Sequence, residues 1–131
     1  MDLRSGKVPS NIEIREFYLQ SGSMLGKPMV QRNYTSVNYT HVARDVAATG
    51  VNLAVQMIAR RDTPEGPRYS LSCNTDTTMD LRDRVNADGR HLTVVGVVHR
   101  DLPFAGNDAE VGPEFFDAIV EAPDEQHRLF G

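Results

Sequence analysis

Apolar positions fall along this chain in two rhythms. In "NIEIREFYL" (residues 11 to 19), Ile12 and Ile14 alternate with polar neighbours ahead of Phe17-Tyr18, the two-residue period of a strand. "QSGSMLGKPMVQRN" (20 to 33) breaks the rhythm with two glycines and a proline and predicts a long loop, a kind of segment that is often functional. "SVNYTHVARDVAATG" (36 to 50) carries Val37, His41, Val42 and Val46 at helical spacing, with Gly50 placed to end the helix. "VNLAVQMIA" (51 to 59) is apolar and partly β-branched, as in a buried strand.

"RRDTPEGPR" (60 to 68) reads as a turn, and the alternating "YSLSC" (69 to 73) as a second strand. So short a link favours an antiparallel hairpin. "TTMDLRDRVNADG" (77 to 89) then has helical spacing through Met79, Leu81 and Val85, with Gly89 as its stop. "HLTVVGVV" (91 to 98) is a further buried strand and "RDLPFAGNDAEV" (100 to 111) a loop. "PEFFDAIVEA" (113 to 122) predicts a helix with Pro113 near its first position; an extended polar tail, "PDEQHRLFG", follows. The order strand, helix, strand, strand, helix, strand, helix specifies an α/β fold, an open, mostly parallel or mixed sheet flanked by helices.

The 131 residues fit one domain, and 40% hydrophobic with 24% charged residues is a globular balance rather than that of a disordered tail. The net charge is −4, and the longest basic run is the pair Arg60-Arg61, so no stripe for nucleic acid or a membrane surface is expected. The single cysteine excludes an intrachain disulfide and a four-thiolate zinc site. No apolar run approaches the ~20 residues that cross a bilayer, and "MDLRSGKVPSN" lacks the core of a signal peptide. A soluble, cytoplasmic protein is the expectation. The two glycosylation-type triplets at Asn33 and Asn38 are then coincidental.

Candidate chemistry gathers where "YSLSC" gives way to "NTDTT". In open α/β sheets, ligands sit beyond the carboxyl ends of strands. A helix starting there offers unpaired N–H groups and a positive dipole end to a carboxylate or phosphate. Asn74 or Thr75 would cap it, and capping alone accounts for small polar residues at that place. The four histidines lack metal-ligand spacing, so no metal is expected. Cys73, ending an apolar strand, reads as a buried, inert thiol. Asp76, Asp80 and Asp83 suit a helix dipole, and "LPFAGND" with Asp108 suits a turn before a helix.

Three blocks carry more than spacing: "NIEIREFYLQSGSMLGKPMVQRNYTSVNYTHVARDV", "YSLSCNTDTTMDL" and "VVGVVHRDLPFAGNDAEV". Together they resemble the amino-terminal domain of the acetyl-CoA hydrolase/transferase family, across nearly all of residues 8 to 130. The resemblance implies two similar open α/β halves with a cleft between them. A glutamate of the second half attacks the acyl-CoA thioester, and an acid or water then takes the acyl group, so one transfer becomes two easier steps. Coenzyme A is the implied co-substrate, held largely by the second half, and backbone amides stabilise the oxyanion.

Relative to that pattern the chain is short: it is expected to start after the family's first strand and helix and to stop before the catalytic glutamate. No catalytic residue carries over. The positions matching cleft-facing blocks are Ser70, Ser72, Asn74 and Thr75, then His99, Pro103 and Asp108. His99 stands where relatives carry asparagine, and Asn107 where glycine is usual. The expected partners are an acyl-CoA, a small carboxylate, a second-half chain and further copies of itself. The competing readings are a non-catalytic module that binds CoA or a partner, and a sugar-phosphate isomerase-like domain, for which no phosphate loop is present.

Overall fold

The computed structural model describes residues 8–19, 21–22, 24–121 and 129. The expected polar tail falls almost wholly outside these. Where the length fits one domain, the chain divides into two compact units, residues 1–42 and 43–131.

In the first unit the expected strand over 11 to 19 does not form. Its one pairing is an isolated parallel bridge between Glu16 and Tyr34. Ile12 and Ile14 alternate, but among the described residues no neighbouring strand completes a ladder. The expected loop contains a short helix, α1 (Pro28–Arg32), with proline in its first turn and Val30 buried. Asn38 caps the 3-10 turn Tyr39–His41, accepting from the Thr40 amide at 3.1 Å. That turn runs into α2 (Val42–Ala48), so the helix expected over 36 to 50 forms in shortened shape.

The second unit, from Ala43, is the α/β fold. Strands β1 (Leu53–Thr63), β2 (Gly66–Ser70), β3 (Thr93–Val98), β4 (Glu110–Val111) and β5 (Ala118–Glu121) form a mixed sheet in the order β4-β2-β1-β3-β5. β1, β3 and β5 are parallel, while β2 pairs antiparallel with both β1 and β4. The hairpin is thus antiparallel as expected. However, the segment read as a turn is mostly strand: β1 continues to Thr63, and Pro64-Glu65 alone make the reversal. Its charged, exposed residues disguise a ribbon that projects past the core.

α3 (Thr75–Ala87) buries Thr78, Leu81 and Val85, one stripe at helical spacing. It is the crossover between β1–β2 and β3, and Gly89, at φ +70, releases the chain from it. The core lies between this helix, α2 and one face of the sheet, with Ala43, Ala47, Ile58, Tyr69, Leu81 and Val94 among its buried members. One polar pair sits inside it: Thr78 Oγ1 donates to Gln56 Oε1 at 2.7 Å, joining α3 to β1.

The expected helix over 113 to 122 is replaced by a 3-10 turn, Pro113–Phe115, and then β5. Ala118-Ile119-Val120 finds a parallel partner in Val95-Gly96-Val97. Asp117 opens that strand: its Oδ2 accepts from the Val94 amide at 2.7 Å, and its own amide donates to Val94 O at 2.9 Å. Phe116 turns into the core edge-on to Tyr69, with centroids 5.8 Å apart. A sheet partner and an aromatic slot outweigh a helix-compatible spacing.

In-register residues of parallel strands share a face. Opposite the helices, Leu53, Val55 and Met57 of β1 are exposed, alongside half-buried Val95 and Val97 of β3 and exposed Val120 of β5. The parallel part of the sheet thus keeps an aliphatic face open to solvent, although parallel sheets are ordinarily covered on both sides.

Candidate functional site

Ser70 is the last residue of β2, opposite Ala59 of β1 and Glu110 of β4, and is fully buried. Its hydroxyl donates to Ala105 O at 2.8 Å and accepts from the amides of Ala105 (3.1 Å) and Ser72 (3.0 Å). A hydroxyl has one donor and two acceptor sites, so all three are used. The Leu71 amide adds a bond to Ala109 O at 2.9 Å. The turn after β2 and the loop after β3 are therefore laced into one wall at the carboxyl end of β3, and Ser70 is its rivet.

Ser72 is buried and left-handed, at φ +58. This kink ends the strand and turns Cys73 outward, so the thiol is exposed rather than buried. The expected alternation over 69 to 73 is not seen in burial: Tyr69, Ser70, Leu71 and Ser72 are all buried. Asn74 occupies the N-cap position of α3, but its side chain makes no capping bond. Instead Asp76 Oδ1 accepts from the Thr77 amide at 2.8 Å. The capping bond expected of Asn74 is not made, because Asn74 has φ −121 and ψ 43 rather than the extended backbone that aims a cap. Asn74 is exposed and Thr75 half-buried.

His99 begins the second loop and is buried. Its amide donates to Ile58 O at 2.8 Å, one residue past the β1–β3 ladder, and its Nδ1 accepts from the Asp101 amide at 3.2 Å. A neutral imidazole accepting at Nδ1 carries its proton on Nε2. Pro103 and Asp108 are exposed on the same loop. Asn107 adopts φ +56, a left-handed conformation that asparagine tolerates.

Ser70 and Ser72 therefore share one hydrogen-bonded joint with Ala105; Pro103 and Asp108 lie on the loop that it fixes, His99 begins that loop, and Asn74 and Thr75 lead into α3. The wall offers the exposed thiol of Cys73 and amide of Asn74, the half-buried Thr75 and the head of a 13-residue helix, chemistry suited to an anionic oxygen. Glu110, the carboxylate next to Ser70 in the sheet, is engaged by Arg68 Nε at 3.0 Å. Among the described residues no group of three or more His, Cys, Asp or Glu side chains could hold a metal ion, and no helix is long and apolar enough to cross a membrane.

Three features lie outside the residues singled out from the sequence. Asp117, at the amino end of the parallel strands, has its carboxyl held below the ordinary aspartate range, first by the Val94 amide and then by His91, whose Nε2 is 3.0 Å from Oδ1. Arg61 stacks on Phe104, its guanidinium carbon 3.8 Å from the ring centroid. In the first unit, an apolar cavity of about 230 Å³ is lined by Val8, Ile12, Ile14, Met29 and Val30, and none of the predicted site residues borders it. Only Arg60-Arg61 left a trace in the sequence, as a basic pair in an apparent turn. No family model, curated protein or solved structure matches the chain.

Proposed function

We propose that this chain forms one wall of an acyl-CoA and carboxylate cleft, in the manner of the amino-terminal part of an acetyl-CoA hydrolase or CoA-transferase. The reactive glutamate comes from elsewhere, in another chain or another part of a longer protein. The observation that carries this reading is the Ser70 joint. It fixes the β2–α3 turn and the β3 loop together at the strand ends, where α/β sheets take their ligands. Coenzyme A is the co-substrate, and the acyl or carboxylate oxygen faces Ser72 to Thr75.

The open aliphatic face supports the accompanying reading that the chain associates with a second copy. Leu53, Val55, Met57, Val95, Val97 and Val120 bring no charge to oppose an identical face. The strip covers three strands and about five residues, roughly 250 Å² at ordinary sheet spacings. Two copies then bury about 500 Å², below the ~1,000 Å² of a stable interface, so the dimer is weak and concentration-dependent.

Asn74→Ala with Thr75→Ala tests the wall. Weakened acetyl-CoA binding with unchanged unfolding supports a ligand role; unchanged binding with lowered stability reduces the turn to a helix start. The alternative of a non-catalytic CoA- or partner-binding module draws on the ion-paired state of Glu110, which leaves that carboxylate poorly placed as a nucleophile. Thioester turnover on adding a second-half chain separates the two.

A further inference from the structure

The β1–β2 ribbon places two arginines directly opposite one another. Arg61 of β1 pairs with Arg68 of β2, so both side chains leave the same face of the ribbon. Like charges in that position destabilise a sheet. Arg68 is offset by Glu110, its Nε lying 3.0 Å from Oε1. Arg61 has no carboxylate partner among the described residues; its guanidinium carbon lies over the Phe104 ring, 3.8 Å from the centroid. The neighbouring acids are otherwise committed or remote: Asp62 belongs to the opposite face with Arg60, which also pairs with Glu121, and Glu65 sits in the turn. This face of the ribbon therefore holds two cations against one anion, with Arg61 exposed.

A guanidinium stacked on an aromatic ring keeps its N–H edge free, and that edge is a fork for a phosphoryl group. Phe104 also lies on the loop that Ser70 fixes through Ala105, so the ring and the arginine are held by the same wall.

We infer that Arg61 and Arg68, with Phe104 beneath Arg61, form an anion site for a phosphoryl group. The site stands on these contacts alone. Naming coenzyme A as the source of the phosphate rests on the acyl-CoA reading above.

The test is a titration of the full chain with inorganic pyrophosphate, 3′,5′-ADP and CoA, followed by NMR of the arginine Nε–Hε signals. Pyrophosphate is expected to shift Arg61 and Arg68 saturably. Arg61→Gln should weaken its binding about tenfold, the scale of one charge-assisted hydrogen bond. Glu110→Gln, which releases Arg68, should tighten it, a result that a purely structural role for these residues does not give. Absence of a saturable shift, or equal affinity in Arg61→Gln, overturns the site. If pyrophosphate binds through Arg61 while CoA and 3′,5′-ADP bind no better, the anion site holds and the acyl-CoA source falls.

Discussion

Ser70 shows how one small side chain can decide the shape of a surface. Its hydroxyl satisfies three backbone groups in a place closed to solvent. Ser70→Ala leaves the Ala105 carbonyl and two amides without that partner, and a cost of roughly 3 kcal/mol is expected in urea unfolding. Ser72→Gly acts in the opposite direction. It relieves a left-handed serine at φ +58 and should gain about 0.5–1 kcal/mol, read as a raised denaturation midpoint. Asp117 sets an acid limit. Hydrogen bonding to Val94 and pairing with His91 depress its folded-state pKa below the ordinary aspartate range. The stability it contributes is complete above the unfolded pKa and is lost as pH falls through the folded one. An acid titration of stability should therefore be shallower below pH 4 in Asp117→Asn than in the parent.

At the scale of elements, the segments that read correctly are those whose pattern and packing agree. α3 shows its buried stripe directly, and β3 is apolar because it is central, paired on both sides by β1 and β5. The misread segments took their structure from distant partners. "AIVE" is a strand because β3 offers an edge more than twenty residues upstream, which no local window contains. "NIEIREFYL" alternates, but among the described residues it finds only the isolated bridge from Glu16 to Tyr34. The site was legible as a place, the strand end before α3, because small polar residues mark such junctions. Its working was not: the two bonds of Ser70 to Ala105 and the contact of Arg61 with Phe104 join residues 35 or more positions apart. Gly96 tests the packing of β3. A Cβ there meets Ile58 Cδ1 at 2.6 Å and Phe116 Cδ1 at 3.0 Å. Gly96→Ala is expected to cost about 1–3 kcal/mol by overpacking, measured by thermal unfolding.

For the whole molecule, the sheet is finished on one side only. Helices α2 and α3 and the Phe116 segment close one face, while the aliphatic strip around Val55 stays open. Val55→Lys places a charge at its centre, and light scattering should then report a monomer at concentrations where the parent chain begins to dimerise. The laced wall at the strand ends carries the functional claim, and an acetyl-CoA titration of the purified chain followed by amide NMR addresses it most directly. Saturable shifts confined to residues 70–76 and 99–109, together with Arg61 and Arg68 where the phosphoryl groups bind, with the thioester left intact, are the expected result. Shifts elsewhere, no saturation, or release of free CoA that disappears on changing one of the chain's own acidic side chains would contradict it.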